Sequence, residues 1–330
     1  MKTREFLNDW SEHIIRGSVR TGTYTVYRGY IDNHINGRIG DAELEELNTR
    51  TLQEFAFALR DGQRALSDKT VRCVFAMLSS ALRYAVESGH LIKNPCFGVR
   101  LPKAGEKEIR IFTKAEQARI ERTVLSSPDK RGIAVLVCAY TGIRIGELCG
   151  LRWGDLDLGA RTLTVRRSLG RVKDYASGAA ERKTKLALQE PKTEKSKRLL
   201  PLPDFLCGIL RRLRAESGGG FVFTVRGRKA LEPRALQFLY KGILKEAGVE
   251  FRNFHTLRHT FASRIIELGA DIKTASEILG HSGPAVTLNR YAHSLMEQKQ
   301  AVMNKLGDGF LRNKTAAASA KLRKVCNFTK

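Results

Sequence analysis

Apolar residues in the first hundred positions recur every three or four residues, which is the spacing of one face of an α-helix. This repeat predicts one helix over residues 23–35 and a second over residues 52–59. A third helix is predicted to begin after Ser67, whose hydroxyl suits an N-cap, and to end before Gly89. Its apolar stripe consists of Val71, Val74, Leu78, Leu82 and Ala85. The N-terminal part is therefore predicted to be all-helical.

The helical pattern stops at residues 99–111, which contain many charges, a proline and a glycine. Such a stretch favours a linker over a packed element. We therefore expect a helical domain over residues 1–98, a linker over residues 99–111 and a second domain over residues 112–298. The remaining residues, 299–330, are predicted to form a C-terminal helix and a basic tail.

The second domain is predicted to open with a helix at Thr113, because Thr113 and Glu116 have the spacing of a capping box. Residues 133–140 are nearly all apolar, which indicates a buried helix. Gly142 is expected to end this helix, and another is predicted to begin near Arg144.

Two short segments, residues 161–168 and 196–202, alternate or run apolar in the manner of strands, and they predict a small sheet. Helical periodicity then returns over residues 233–247, 255–268 and 271–279, and glycines follow the last two of these segments. The second domain is therefore expected to be mainly helical.

The chain is strongly basic: 58 Lys and Arg residues stand against 34 Asp and Glu residues, a formal net charge of +24 with a pI near 10.1. Residues 161–200 hold twelve basic and four acidic residues, so this segment carries about a third of the excess. An excess of this size indicates a polyanionic partner, because neutralising phosphates releases counterions. Nucleic acid is the first candidate, and segment 161–200 is expected to lie against it.

A membrane surface is the competing partner, but no apolar run approaches the roughly 20 residues that a span needs. The first residues also lack the apolar core of a signal peptide, so a cytoplasmic protein is expected. The six cysteines contain no Cys-x-x-Cys pair and are best explained as reduced thiols, several of them buried.

The last third of the chain gathers side chains that suit phosphate chemistry: His255, Arg258, His281, Tyr291 and His293. An earlier arginine, Arg144, lies in the glycine-containing segment TGIRIGE. Guanidinium groups match phosphate oxygens two at a time and remain charged at any accessible pH, while a phenol can attack phosphorus. The combination therefore predicts an active site for phosphoryl transfer.

A zinc site is the alternative for this cluster, since His255 and His259 are four residues apart on one predicted helix. A metalloprotease helix, however, needs a glutamate directly after the first histidine, where this chain has Thr256. Arg258 would also place a fixed positive charge beside the metal. We therefore predict no metal and no other cofactor.

Five segments resemble, in order, the motifs of the tyrosine recombinases, also called the phage integrase family. They are TGIRIGEL at 141–148 with LRWGD at 151–155, PKTEKSKRLLP at 191–201, HTLRHTFA at 255–262, LGHS at 279–282 and YAH at 291–293. The resemblance implies an all-α, SAM-like core-binding domain followed by a mainly α catalytic domain with a small antiparallel sheet, the DNA breaking-rejoining fold. No segment before residue 5 matches the separate arm-binding domain of some integrases.

The resemblance also implies the reaction: Tyr291 attacks a DNA phosphodiester and forms a 3′-phosphotyrosine bond, releasing a 5′-hydroxyl. Arg144 and Arg258 correspond to the arginines that bind the non-bridging oxygens. The phenol needs such neighbours, because its ordinary pKa near 10 makes it a poor nucleophile at neutral pH. Glu147 is expected to orient this site without reacting.

Three further residues take roles from the same resemblance. His255 corresponds to the histidine that handles the tyrosine proton, His281 to the position that supports the phosphate, and Lys192 to the lysine that protonates the leaving 5′-oxygen. Lys192 is preferred by position among several neighbouring lysines, which otherwise serve to position phosphates. Those neighbours are Lys183, Lys185, Lys195 and Lys197.

The expected partner is double-stranded DNA carrying two recombination sites, joined by a homotetramer, with an accessory excisionase or DNA-bending protein as a further expectation. The expected outcome is integration or excision of a phage or conjugative element. Resolution of chromosome or plasmid dimers stays open, as does DNA relaxation of the type IB topoisomerase kind. The non-enzymatic alternative is a protein that binds DNA but has an inactive site.

Overall fold

The computed structural model of the protein describes residues 1–61, 65–103, 110–173, 184–189, 197–225, 229–280, 283 and 303–304. These residues form two compact units, one within residues 1–108 and 171–185, the other within residues 109–170 and 186–330. Across the part of the chain that the structure describes, no helix has the length and apolar character that a membrane span requires.

Up to residue 103, the first unit is helical, which confirms the prediction for this part of the chain. Its helices are α1 (Thr3–Asp9), α2 (Arg16–Ser18), α3 (Thr21–Tyr30), α4 (Asn36–Ile39), α5 (Thr49–Ala58) and α6 (Asp68–Glu87). π-helical segments at Trp10–Ile15 and Ile31–Ile35 join α1 to α2 and α3 to α4, so the helix predicted over residues 23–35 begins earlier and extends further. Short 3₁₀ turns lie at Leu44–Glu46 and Pro95–Gly98.

Helix α6 forms as predicted, since Ser67 accepts a hydrogen bond from the Thr70 amide and caps its start. All five residues of the predicted stripe are buried. They pack in one apolar core with Leu7, Trp10, Ile31, Ile35 and Leu52. The apolar periodicity of the α6 sequence therefore correctly predicts which face of the helix is buried.

The second unit is mainly helical, with small antiparallel sheets. Its helices are α7 (Lys114–Ser126), α8 (Ile133–Thr141), α9 (Ile145–Cys149), α10 (Asp204–Ala215), α11 (Pro233–Glu246), α12 (His255–Glu267) and α13 (Ile272–Leu279). The Thr113 and Glu116 side chains form the predicted capping box at the start of α7. Helix α10 was not predicted from the sequence.

The strands are β1 (Leu156–Asp157), β2 (Thr162–Val165), β3 (Ser168–Lys173), β4 (Thr184–Gln189), β5 (Arg198–Pro201), β6 (Thr224–Val225) and β7 (Lys229–Ala230). A three-stranded antiparallel sheet has the order β1-β2-β5, and β3 with β4 and β6 with β7 form two-stranded sheets. The small sheet predicted from segments 161–168 and 196–202 is confirmed: the two segments pair, with Leu163 opposite Leu200 and Val165 opposite Arg198.

Helix α8 lies in the core of this unit, with every residue from Ile133 to Cys138 buried. Helix α12 packs against α8 and also against α13, where Ala262, Ile266, Ala275 and Leu279 form a small apolar cluster. This packing brings the turn after α8, the helix α12 and the C-terminal end of α13 together, and the candidate site is built there.

Candidate active site

Two glycines in the left-handed region shape the backbone around the site. Gly142 (φ +62°) ends α8, and Gly280 (φ +61°) ends α13. A Cβ on Gly142 would lie 2.5 Å from the Phe261 ring, and a Cβ on Gly280 would lie 3.0 Å from the Arg198 guanidinium. Both positions therefore require glycine for conformation and for space.

Arg144 is the N-cap residue of α9, and its side chain reaches the end of α13. Its Nη2 donates to the Gly280 carbonyl oxygen at 2.8 Å, and its Nη1 donates to Glu147 Oε1 at 3.0 Å. The Glu147 carboxylate also accepts the Arg144 backbone N–H at 3.1 Å, so it caps the first turn of α9. The Arg144 side chain keeps 37% of its surface exposed, which leaves guanidinium donors available to a ligand.

Arg258 lies on α12 and is only 2% exposed. Its Nη1 donates to the Gly142 carbonyl oxygen at 2.7 Å, and its Nη2 donates to the Leu279 carbonyl oxygen at 2.6 Å. Burial, followed by the neighbouring charges of Arg144 and Arg198, lowers the pKa of Arg258 to about 9, so it remains a cation at neutral pH. An anionic ligand would stabilise the positive charge of this buried guanidinium.

Arg198, at the start of β5, contributes a third guanidinium. Its Nη1 and Nη2 donate to the two oxygens of Glu147 at 3.2 and 2.9 Å, and its Nε donates to the Ile278 carbonyl oxygen at 2.8 Å. Burial opposes ionisation of Glu147, but Arg198 and then Arg144 outweigh it and lower the pKa of that carboxyl. Glu147 is therefore a carboxylate held between two guanidiniums, as its expected orienting role requires.

The three arginines donate to three consecutive backbone carbonyls at the end of α13: Ile278, Leu279 and Gly280. The last carbonyls of a helix have no partner within the helix and carry partial negative charge, so they favour cations. Arg198, Arg258 and Arg144 come from three different elements and converge because of this helix end. The result is a cluster with more positive than negative charge.

Two family descriptions match the chain: the Phage integrase family over residues 110–298, and the phage integrase N-terminal SAM-like domain over residues 3–59. A XerC-like tyrosine recombinase of Caldanaerobacter subterraneus subsp. tengcongensis is 32% identical over 327 residues, which cover 93% of this chain and 83% of the relative. The chain belongs to the phage integrase family. It is thus a tyrosine recombinase, an enzyme of the kind that cuts and rejoins DNA at specific sites.

Solved structures of two integrases share this fold. The Tn1549 transposon integrase in complex with a circular intermediate DNA superposes with a TM-score of 0.78 at 22% identity, covering 93% of this chain and 99% of that one. A lambda integrase tetramer bound to a Holliday junction gives 0.63 at 20% identity, covering 86% and 78%. The likeness confirms the predicted fold class of a SAM-like domain and a mainly helical catalytic domain.

Of the six site residues expected for a phage integrase, the structure describes three. Arg144 and Arg258 come together at the end of α13, although a long stretch of sequence separates them. His255 occupies the first position of α12, where it is exposed and its ring meets that of the buried His259 edge to face, with 5.0 Å between centroids. Lys192, His281 and Tyr291 lie outside the described residues, as do His293 and most of the predicted tail.

Sequence analysis missed Arg198, which is as central to the cluster as either predicted arginine. A signal for it was present: Arg198 is in phase with Leu200 in a strand whose alternate residues are buried. An arginine at an inward position needs a buried partner, and Glu147 was the one acidic residue already assigned to the site. The segment contains many basic residues. Because all of them were expected to face DNA, the alternation that places Arg198 on the buried face of β5 was overlooked.

Proposed function

We propose that this recombinase cuts one DNA strand at a time through Tyr291 and rejoins it to a second duplex, with Arg144 and Arg258 holding the scissile phosphate. The observation that supports this most directly is the convergence of these two guanidiniums on adjacent carbonyls, Gly280 and Leu279. Cations fixed in advance of the reaction stabilise a phosphorus that gains negative charge on becoming five-coordinate.

In the proposed step, the Tyr291 oxygen forms a bond to phosphorus while the bond from phosphorus to the 5′-oxygen breaks. The phenolic proton passes to His255, and Lys192 supplies a proton to the departing 5′-oxygen. His281 supports the phosphate. The new phosphotyrosine ester conserves the energy of the original diester, so a 5′-hydroxyl from another strand can reverse the step without a nucleotide cofactor.

The proposed division of the chain follows the prediction. Residues 1–98 form the core-binding domain, which binds DNA. Residues 99–111 are a linker to the catalytic domain, residues 112–298. Residues 299–330 form the C-terminal helix and basic tail. Four copies act on two recombination sites in the nucleoid, with an accessory excisionase or DNA-bending protein. The lambda integrase tetramer on a Holliday junction supports this assembly by analogy of fold.

Covalent capture tests the function and identifies the DNA site in the same experiment. The full-length protein is incubated with a library of randomised duplexes, each nicked so that cleavage releases a short fragment and cannot be reversed. The complexes are denatured and protein-linked DNA is sequenced. We expect one enriched sequence from the wild type and none from Tyr291→Phe. If wild-type protein forms no denaturation-resistant adduct, the proposed function is wrong.

The captured sequence also separates the remaining alternatives. Relaxation of a plasmid that lacks the captured site would favour topoisomerase activity. Recombination between two identical sites would favour dimer resolution. Recombination between two sites with different flanks would favour a mobile element, which the likeness to the Tn1549 integrase supports. We propose the mobile-element role.

A further inference from the structure

Arg198 makes contacts that an arginine holding DNA on a protein surface would not make. Its side chain and that of Glu147 are each only 6% exposed, and they form a bidentate ion pair. Two parallel hydrogen bonds fix the plane of the carboxylate as well as its position. Arg198 therefore determines how the Glu147 carboxylate is oriented.

The same carboxylate orients Arg144. Oε1 of Glu147 accepts from Arg144 Nη1, and Oε2 accepts from the Arg144 backbone N–H. Arg198 also holds the Ile278 carbonyl, two residues before the Gly280 carbonyl that Arg144 contacts. Arg198 thus directly holds one anchor of the Arg144 guanidinium, the Glu147 carboxylate, and it binds the same helix end that supplies the other.

Charge gives Arg198 a second effect on Arg144. Without Arg198, the only cation with a direct ion pair to Glu147 in the described part of the chain would be Arg144, and the carboxylate would neutralise it. With Arg198 present, the described residues of the cluster comprise three guanidiniums and one carboxylate, which leaves an excess of two positive charges among them. A phosphodiester carries one negative charge and gains a second as phosphorus becomes five-coordinate, which matches this excess.

We propose that Arg198 is a positioning residue for DNA cleavage, which neutralises Glu147 and fixes its plane so that Arg144 remains directed at the scissile phosphate. This inference rests on the proposed function, since it assumes that Arg144 binds that phosphate. It assigns to Arg198, which lies within the basic segment 161–200, a role directed into the protein and not toward the DNA backbone.

The test uses the full-length protein and the nicked duplex selected by covalent capture. Single-turnover cleavage by Arg198→Gln should be about 10- to 100-fold slower than by wild type, less than the roughly 100- to 1000-fold expected when an oxyanion donor is itself removed. Arg198→Lys keeps the charge but loses the paired geometry, so it should recover part of the rate. DNA affinity should change by less than about threefold, because phosphate contacts elsewhere set most of it.

A second substrate separates positioning from a general structural role. In a duplex with a methylphosphonate at the scissile position, a non-bridging oxygen is replaced by methyl and the negative charge is removed. If Arg198 acts by directing Arg144 at that charge, the defect of Arg198→Gln should shrink to less than about threefold on this substrate. An equal defect on both substrates would show that the residue only supports the fold.

Arg252→Gln provides the matched control. Arg252 forms a largely buried ion pair with Glu116 at 3.0 Å, and the hydrogen bonds described above for the arginine cluster do not involve it. Arg252→Gln should lower thermal stability about as much as Arg198→Gln does. The ratio of its cleavage rates on the phosphate and methylphosphonate substrates should equal that of wild type. If Arg198→Gln does not fold, Arg198→Lys carries the same comparison of substrates.

The outcomes distinguish this inference from the function on which it rests. Normal cleavage of the phosphate substrate by Arg198→Gln would overturn the inference and leave the recombinase mechanism intact. Absence of any covalent adduct with wild-type protein would overturn both.

Discussion

Arg144 and Arg258 donate to adjacent carbonyl oxygens, those of Gly280 at 2.8 Å and Leu279 at 2.6 Å. Arg144 is the N-cap residue of α9 and Arg258 lies on α12, so neither helix alone could bring them together. The C-terminal end of α13 does so, because its last carbonyls lack partners within the helix. The position of α13 therefore controls the geometry of both guanidiniums.

Replacing either guanidinium should separate DNA binding from cleavage. We expect Arg144→Ala and Arg258→Ala to bind the captured duplex nearly as well as wild type but to cleave it roughly 100- to 1000-fold more slowly. Gel-shift titration measures the first property, and the yield of covalent adduct over time measures the second. Cleavage at the wild-type rate by either variant would exclude that arginine from the reaction.

The sequence alone predicted a large part of the fold because local rules dominate there. Ser67 caps α6 as expected, the stripe of α6 is buried, and Thr113 forms its capping box with Glu116. Each of these features depends on side chains within a few residues of one another. Periodicity and capping chemistry therefore suffice to find them.

The pairing of Arg198 with Glu147 could not be predicted in the same way, since it joins β5 to α9 across 51 positions of sequence. The hydrogen bond from Arg258 to Leu279 likewise depends on how α12 packs on α13. Motifs identified Arg144 and Arg258 as site residues, but only the packing shows that backbone carbonyls hold them. The π-helical joins in the first unit also left no recognisable pattern.

Substitution of Gly280 should test how tightly the end of α13 is packed. Gly280→Ala places a non-glycine residue in the left-handed region, which costs roughly 1–2 kcal/mol. The added methyl would also lie 3.0 Å from the Arg198 guanidinium, so a further cost of about 1 kcal/mol from crowding is expected. Cleavage should slow as Arg198 shifts. Thermal denaturation and the adduct assay measure the two effects.

Gly248→Ala is the matched control for this substitution. Gly248 has nearly the same backbone conformation, φ +62°, but a Cβ there meets no atom within 4 Å. It should show the backbone cost alone and cleave at the wild-type rate. Equal loss of stability in the two variants would mean that Arg198 is not crowded by the methyl group.

The Thr260 hydroxyl should stabilise the protein by joining the start of the second unit to α12 through hydrogen bonds. Its hydroxyl accepts from the Phe112 backbone N–H at 3.0 Å and donates to the Thr256 carbonyl oxygen at 2.9 Å. Thr260→Val keeps the shape but leaves the buried Phe112 amide without its acceptor, which should cost about 1–3 kcal/mol. Thr260→Ser retains the hydroxyl and should therefore lose less stability than Thr260→Val. Chemical denaturation measures both, and a more stable valine variant would contradict the prediction.

The ionisation of Glu147 should make the stability of the protein depend on pH. Because Arg198 and Arg144 lower the pKa of this carboxyl in the folded protein, its stabilising effect is complete above its unfolded pKa of about 4.3. The effect is lost as pH falls toward the lower folded pKa. Glu147→Gln should therefore be about 3 kcal/mol less stable than wild type at pH 7, with a smaller difference at acidic pH.

Urea denaturation of the two proteins at pH 7 and near pH 3.5 measures this difference. Glu54→Gln is the control, since Glu54 pairs with Arg50 on the surface and both side chains are mostly exposed. Exposed pairs contribute about 0–1 kcal/mol, so this variant should differ little from wild type at either pH. A gap between wild type and Glu147→Gln that stays constant across this range would mean that the pKa of Glu147 is the same in the folded and the unfolded protein. In that case Arg198 and Arg144 would not stabilise the charged form of this carboxyl.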